Sequence, residues 1–126
     1  MAHIIVIDDD RDIRLLVQSV LKRAGHRVEA ARDGIEGMTL HRQEPADLII
    51  TDIIMPCMDG IEVIADLMRS RLKTRILAIS GGGDWLGPQY VLKVAKGFNV
   101  HQTLSKPFSA ETLLGKVDSV LAMPAT

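Results

Sequence analysis

The chain has 126 residues, 47% of them apolar and 25% charged, with a formal net charge of -1. That size suits one compact domain, and the near-neutral charge argues against an electrostatic nucleic-acid binder, which carries a basic excess. One cysteine, Cys57, excludes an internal disulfide, so a reducing cytosol is the expected compartment. No apolar run approaches bilayer length, and Met1-Ala2-His3 enters Ile4 without the basic segment of a secretory signal. A cytoplasmic protein with no membrane association is expected.

Ile4 to Ile7 is an apolar run bounded by charge and reads as a buried strand. Asp10 caps the following helix, whose apolar face is Ile13, Leu16, Val17, Val20, Leu21 and Ala24, and Gly25 stops it. Arg27 to Ala31 is a second, weaker strand. Asp33-Gly34-Ile35-Glu36 has capping-box spacing and opens a helix ending near Glu44-Pro45. Its apolar stripe is thin, Ile35 and Met38, so it should be the least securely packed helix.

Leu48 to Asp52 is a third strand, buried by composition. Asp59-Gly60-Ile61-Glu62 repeats the capping box before a helix with Ile61, Ile64, Leu67 and Met68 inside. Arg75 to Ser80 is a fourth strand, and Gly81-Gly82-Gly83 separates it from a helix carrying Val91, Val94, Ala95 and Phe98. Val100 to Leu104 is a poorer fifth strand, and the last helix starts at Ser109 and buries Leu113, Leu114, Val117 and Leu121. Alternating strands and helices predict an α/β fold: a five-stranded parallel sheet with five helices on both faces. Right-handed crossovers favour the flavodoxin-like order 2-1-3-4-5. Residues 1–122 form one domain and 123–126 a tail or linker stub.

Ligands of open parallel sheets bind outside the carboxyl ends of the strands. There the first strand delivers Asp8-Asp9-Asp10, the third Asp52 and the fourth Ser80, and the fifth runs into Lys106. In the predicted order Asp8, Asp9 and Asp52 converge, flanked by Ser80 and Lys106. Carboxylates about 5 Å apart repel by roughly 3 kcal/mol per pair at an effective dielectric of about 20, so a cation should neutralise them. Oxygen-only ligands with few carboxylates favour Mg²⁺. Cys57, His3, His26, His41 and His101 show no ligand-like spacing for a transition metal. A carboxylate facing a metal, a lysine and a hydroxyl can attack phosphorus, with positioning supplying most of the catalysis.

Three motifs in order resemble the receiver domain of two-component response regulators over about residues 3–122. They are Val6-Ile7-Asp8-Asp9-Asp10, the run Asp52-Ile53-Ile54-Met55-Pro56-Cys57-Met58-Asp59-Gly60, and Lys106-Pro107-Phe108. The resemblance implies that Asp52 is the phosphoacceptor. Asp9 and Asp52 side chains and the Ile54 backbone carbonyl would hold Mg²⁺, with Asp8 holding a metal water. Ser80 would be the switch hydroxyl and Lys106 the phosphoryl contact, with a cis peptide before Pro107. The implied donor is a phosphohistidine on a sensor kinase or phosphotransfer protein. Output would pass to an effector protein or an omitted domain, with homodimerisation on phosphorylation as a further expected response.

Two positions depart from the family pattern. Thr103 replaces the usual aromatic three residues before the lysine, and Asn99 replaces the glycine that opens the fifth strand. Ile54 and Gly82 offer no polar group to orient an attacking water, which predicts a long-lived phosphoryl group. Other classes fit less well. A haloacid-dehalogenase-like hydrolase needs Thr or Val after its aspartates, and a flavin carrier needs a hydroxyl-rich loop and aromatics, which are 3% of this chain. A degenerate receiver would not keep the acids and the lysine. A switch that catalyses only its own phosphorylation and dephosphorylation is therefore expected, not an enzyme acting on other substrates.

Overall fold

The computed structural model describes residues 1–52, 65, 74–80 and 101–124. Five parallel strands, β1 (His3–Ile7), β2 (Arg27–Ala31), β3 (Leu48–Asp52), β4 (Arg75–Ser80) and β5 (Gln102–Ser105), form one sheet in the order β2-β1-β3-β4-β5. This is the predicted order. The register pairs Ile7 with Ala31 and Thr51, and Asp52 with Ile79. The three inner strands are almost wholly buried, as their continuous apolar runs require. The edge strands keep polar residues, with Arg27 exposed on β2 and Gln102 and Thr103 half-exposed on β5, which discourages pairing with another chain.

Three helices are seen among the described residues: α1 (Arg11–Arg23), α2 (Gly34–Gln43) and α3 (Ala110–Leu121). The two further helices expected from the sequence, with Asp59-Gly60-Ile61-Glu62 and with Val91 to Phe98, lie outside the described residues. Ala65, within the first of these, is helical.

Alternation along the strands sorts their side chains onto two faces. Ile4, Val6, Leu48, Ile50, Leu77 and Ile79 pack with Val17 and Leu21 of α1 and with Leu113, Val117 and Val120 of α3. Each such side chain contributes about 1.5–3 kcal/mol on full burial. On the opposite face α2 lies against β1. Gly37 is the reason it can: a Cβ there would stand 2.6 Å from Ile7 Cγ1 and closer still to Cδ1.

The helix ends follow local chemistry. Asp10 accepts the Asp12 N–H at 2.9 Å, and Ser109 accepts the Thr112 N–H at 3.1 Å. Gly25, at φ 95°, closes α1 with two backbone bonds, Gly25 N–H to Lys22 O and His26 N–H to Leu21 O. At α2 the Glu36 N–H donates to Asp33, while Glu36 reaches back to the Arg32 N–H rather than to Asp33's own.

Two expected apolar faces differ. Ile35 is 60% exposed, and α2 is held through Gly34, Gly37, Met38 and His41. The glycine lets the backbone approach so closely that the next turn, not Ile35, meets the sheet. On α1, Leu16 and Ala24 are exposed, because Val17 and Leu21 define the buried line.

Candidate functional site

The carboxyl ends of β1, β3, β4 and β5 bring Asp8, Asp52, Ser80 and Lys106 to one place. Asp8 is the first residue past β1, and its N–H still extends the ladder to Ala31 O at 3.1 Å. One of its oxygens accepts the Asp10 N–H at 2.9 Å, a tight turn that starts α1. Arg14, one turn into that helix, donates to the Asp8 carbonyl at 2.7 Å. At the other end of the site, the Lys106 N–H donates to Ser80 O at 2.8 Å and continues the β4–β5 ladder. The Lys106–Pro107 peptide is cis, as expected.

These backbones aim the charged groups at each other. Lys106 Nζ lies 2.9 Å from Asp8 Oδ2 and 3.1 Å from Asp52 Oδ2. The contact with Asp52 is an aligned hydrogen bond. The contact with Asp8 Oδ2 is an ion pair off the hydrogen-bond line. Asp8 is fully buried, Asp52 nearly so, and Asp9 exposed. Thr51 Oγ1 donates to the Asp52 carbonyl at 2.9 Å and steadies the end of β3. Ser80 Oγ is buried with no hydrogen-bond partner among the described residues.

Burial pushes the Asp8 carboxyl above its ordinary value; the Asp10 N–H and Lys106 oppose that push, and the charge on Asp9 adds to it. Burial alone would lower Lys106, but the close ion pair with Asp8, with the charge and hydrogen bond of Asp52, outweighs it and holds the ammonium above its ordinary value. Carboxylate oxygens of Asp8, Asp9 and Asp52 all lie within 4.8 Å of one another. Three carboxylates and one ammonium leave two net negative charges facing oxygen-only ligand atoms. That donor set fits a hard divalent cation such as Mg²⁺.

The structure thus brings together Asp8, Asp9, Asp52, Ser80 and Lys106. Thr103 sits half-buried on β5, opposite Ala78. The Ile54 carbonyl, Gly82, the Gly81-Gly82-Gly83 run, Cys57, Trp85 and Asn99 lie outside the described residues. Arg14 was not singled out from the sequence. Its only signal there is a basic residue in a first turn, where acids are favoured.

Fold and pocket together define an α/β protein of flavodoxin-like topology with an acid-lysine cluster at the carboxyl end of its sheet. The model of the response regulator receiver domain matches residues 4–118. Protein PilH of Pseudomonas aeruginosa is 32% identical over 97% of this chain and 99% of its own length. The alkaline phosphatase synthesis transcriptional regulatory protein PhoP of Bacillus subtilis is 34% identical over 94% of this chain and 48% of its own. The chain therefore spans about half the length of PhoP. Among solved structures, chemotaxis protein CheY4 of Vibrio cholerae superposes with a TM-score of 0.83 at 35% identity, covering 95% of this chain and 98% of that one. The chain belongs to the response regulator receiver domain family.

No helix among the described residues is long and apolar enough to cross a membrane.

Proposed function

We propose that this chain is a phosphorylation-dependent signalling switch of a two-component system, with Asp52 as its phosphoacceptor. The observation that carries the reading is the position of Lys106, whose ammonium bridges Asp8 and Asp52 at 2.9 and 3.1 Å. An ionised Asp52 oxygen attacks the phosphorus of a phosphohistidine. The P–O bond forms as the P–N bond breaks, and its electron pair returns to the imidazole of the donor. Lys106 transfers its contact from the carboxylate to a phosphoryl oxygen and stabilises the charge gathered there. Ser80 has a buried hydroxyl with no hydrogen-bond partner among the described residues, so it can donate to a phosphoryl oxygen that exists only after transfer.

Asp8, Asp9, Asp52 and the Ile54 carbonyl would hold Mg²⁺. When bound, the ion neutralises the pocket and stabilises the equatorial oxygens of the transferring group. The donor is a sensor histidine kinase or histidine phosphotransfer protein, and the output an effector protein or a further domain. With Thr103 in the aromatic position, rotation of a ring there is no part of the output. The chain acts on no substrate but its own phosphoryl group. It works in the cytoplasm, and self-association accompanies phosphorylation.

Incubation with acetyl phosphate and Mg²⁺ tests the reading. Wild type should carry an acid-stable, base-labile phosphate that Asp52→Asn lacks. Steady hydrolysis of many phosphate esters would refute it in favour of a hydrolase. The phosphoryl group should decay slowly, and an Ile54→Asn variant that decays no faster would remove the water-orientation argument.

A further inference from the structure

At the opposite end of the sheet from Asp52, a second group of ligating side chains meets. His3 starts β1, Glu29 lies on β2 and Glu44 follows the end of α2. One ligand atom from each lies within 4.8 Å of the other two. The His3 ring is buried, with 8% exposure. Its Nδ1 stands 3.2 Å from the Pro45 carbonyl, which can only accept, so Nδ1 carries a proton. Its Nε2 stands 3.0 Å from Glu29 Oε1.

In the neutral ring that Nε2 presents a lone pair to a carboxylate. Two acceptors at 3.0 Å repel unless a cation lies between them. A second ring proton or a metal ion meets the need.

The surroundings suit a metal as well as a proton. A ring N–H held by a backbone carbonyl is the arrangement that orients metal-ligating histidines and frees the other nitrogen. Asp47 adds a third negative charge, accepting the His3 backbone N–H at 2.8 Å. Among the described residues Arg27 supplies a cation there, 2.6 Å from Glu44 Oε2. With a neutral ring, Glu29, Glu44 and Asp47 against Arg27 leave two net negative charges. The Arg27–Glu44 pair is more than half exposed on both sides, so its release costs little. The C-terminal end of α2 adds the negative end of a helix dipole.

We propose that His3, Glu29 and Glu44 form a second metal site, for a borderline divalent ion such as Zn²⁺, that ties β1, β2 and the end of α2 together. One imidazole and two carboxylates suit that class of ion, with water completing the tetrahedron. Mg²⁺ prefers oxygen throughout. The proposal goes beyond the phosphoacceptor reading and does not depend on it.

Calorimetric titration of Zn²⁺ into the full chain, with excess Mg²⁺ present, tests it. One Zn²⁺ should bind, and melting temperature should rise with Zn²⁺. Glu29→Gln and His3→Gln should each weaken binding at least about tenfold, the smallest loss usual even for the outer partners of metal ligands. Arg27→Gln should tighten it, and Asp8→Asn with Asp52→Asn should leave it unchanged. The Co²⁺-loaded chain should show visible absorption that Glu29→Gln lacks. If the folded wild type binds no Zn²⁺, a proton fills the gap and the proposal is wrong. Equal binding by wild type and Glu29→Gln would also overturn it. Should His3→Gln fail to fold, half-exposed Glu29 still decides.

Discussion

Replacing Lys106 with Met keeps the volume of the side chain and removes its charge. Two carboxylates then lose the ammonium now 2.9 and 3.1 Å away. At about 3 Å and an effective dielectric of about 20, each attraction is worth about 5.5 kcal/mol. The ammonium's own desolvation offsets several kcal/mol of the total, and breaking a buried pair by deleting one partner costs about 3–5 kcal/mol. We expect a loss of that size for Lys106→Met in Mg²⁺-free buffer at pH 7.5. Urea denaturation followed by circular dichroism measures it, through a shift in midpoint at constant slope. At about 4 °C per kcal/mol for a domain of this size, the melting temperature should fall by about 12–20 °C. Saturating Mg²⁺ should restore much of the loss, because it supplies charge to the same carboxylates. A loss below about 1 kcal/mol, or one equally large with Mg²⁺ saturating, would refute the electrostatic account of the pocket.

Asp8→Asn addresses the same pocket through pH. Burial raises the folded-state value of Asp8, so its contribution to stability is complete below 3.8 and is lost as pH rises through the raised value. In Mg²⁺-free buffer Asp8→Asn should therefore melt higher than wild type at pH 7, with the advantage shrinking toward pH 3.8; an advantage that grows on acidification would reverse the sign. Gly37→Ala places a methyl against Ile7, and overpacking of this kind costs about 1–3 kcal/mol. Adding Ile7→Ala should recover part of the Gly37→Ala loss in a double-mutant cycle, and strict additivity would show that the clash is relieved elsewhere. Asp10→Ala removes the cap of α1 and should cost about 1 kcal/mol in denaturant titrations. It should still accept phosphate at Asp52, and failure to do so would give Asp10 a part in the chemistry.

Much of the fold was readable because strands and helices obey different periods. Ile4 to Ile7 and Leu48 to Ile50 are continuously apolar, as inner strands are, and the parallel order then brings Asp8, Asp52, Ser80 and Lys106 to one end. Asp10, Ser109 and Gly25 mark helix ends by side-chain and backbone chemistry confined to a few residues. The packing of α2 was not readable. Ile35 looks like its anchor, but Gly37 sets the contact, and the absence of a side chain leaves no apolar signal. Arg14 was missed because it acts through the Asp8 backbone carbonyl, which no residue type advertises. The grouping of His3, Glu29 and Glu44 escaped notice because its members are far apart in sequence and meet only once β1, β2 and α2 are in place.

The amides of Asp8 and Lys106 belong to the hydrogen-bonded ladders, and Arg14 also clasps the Asp8 carbonyl. Both residues are thus bolted to the sheet at the main chain and free only to swivel beyond it. In the proposed switch, a new charge on Asp52 would meet a floor held by main-chain hydrogen bonds. It would be accommodated by turning side chains above that floor, so the message of the proposed switch would travel outward instead of being absorbed beneath.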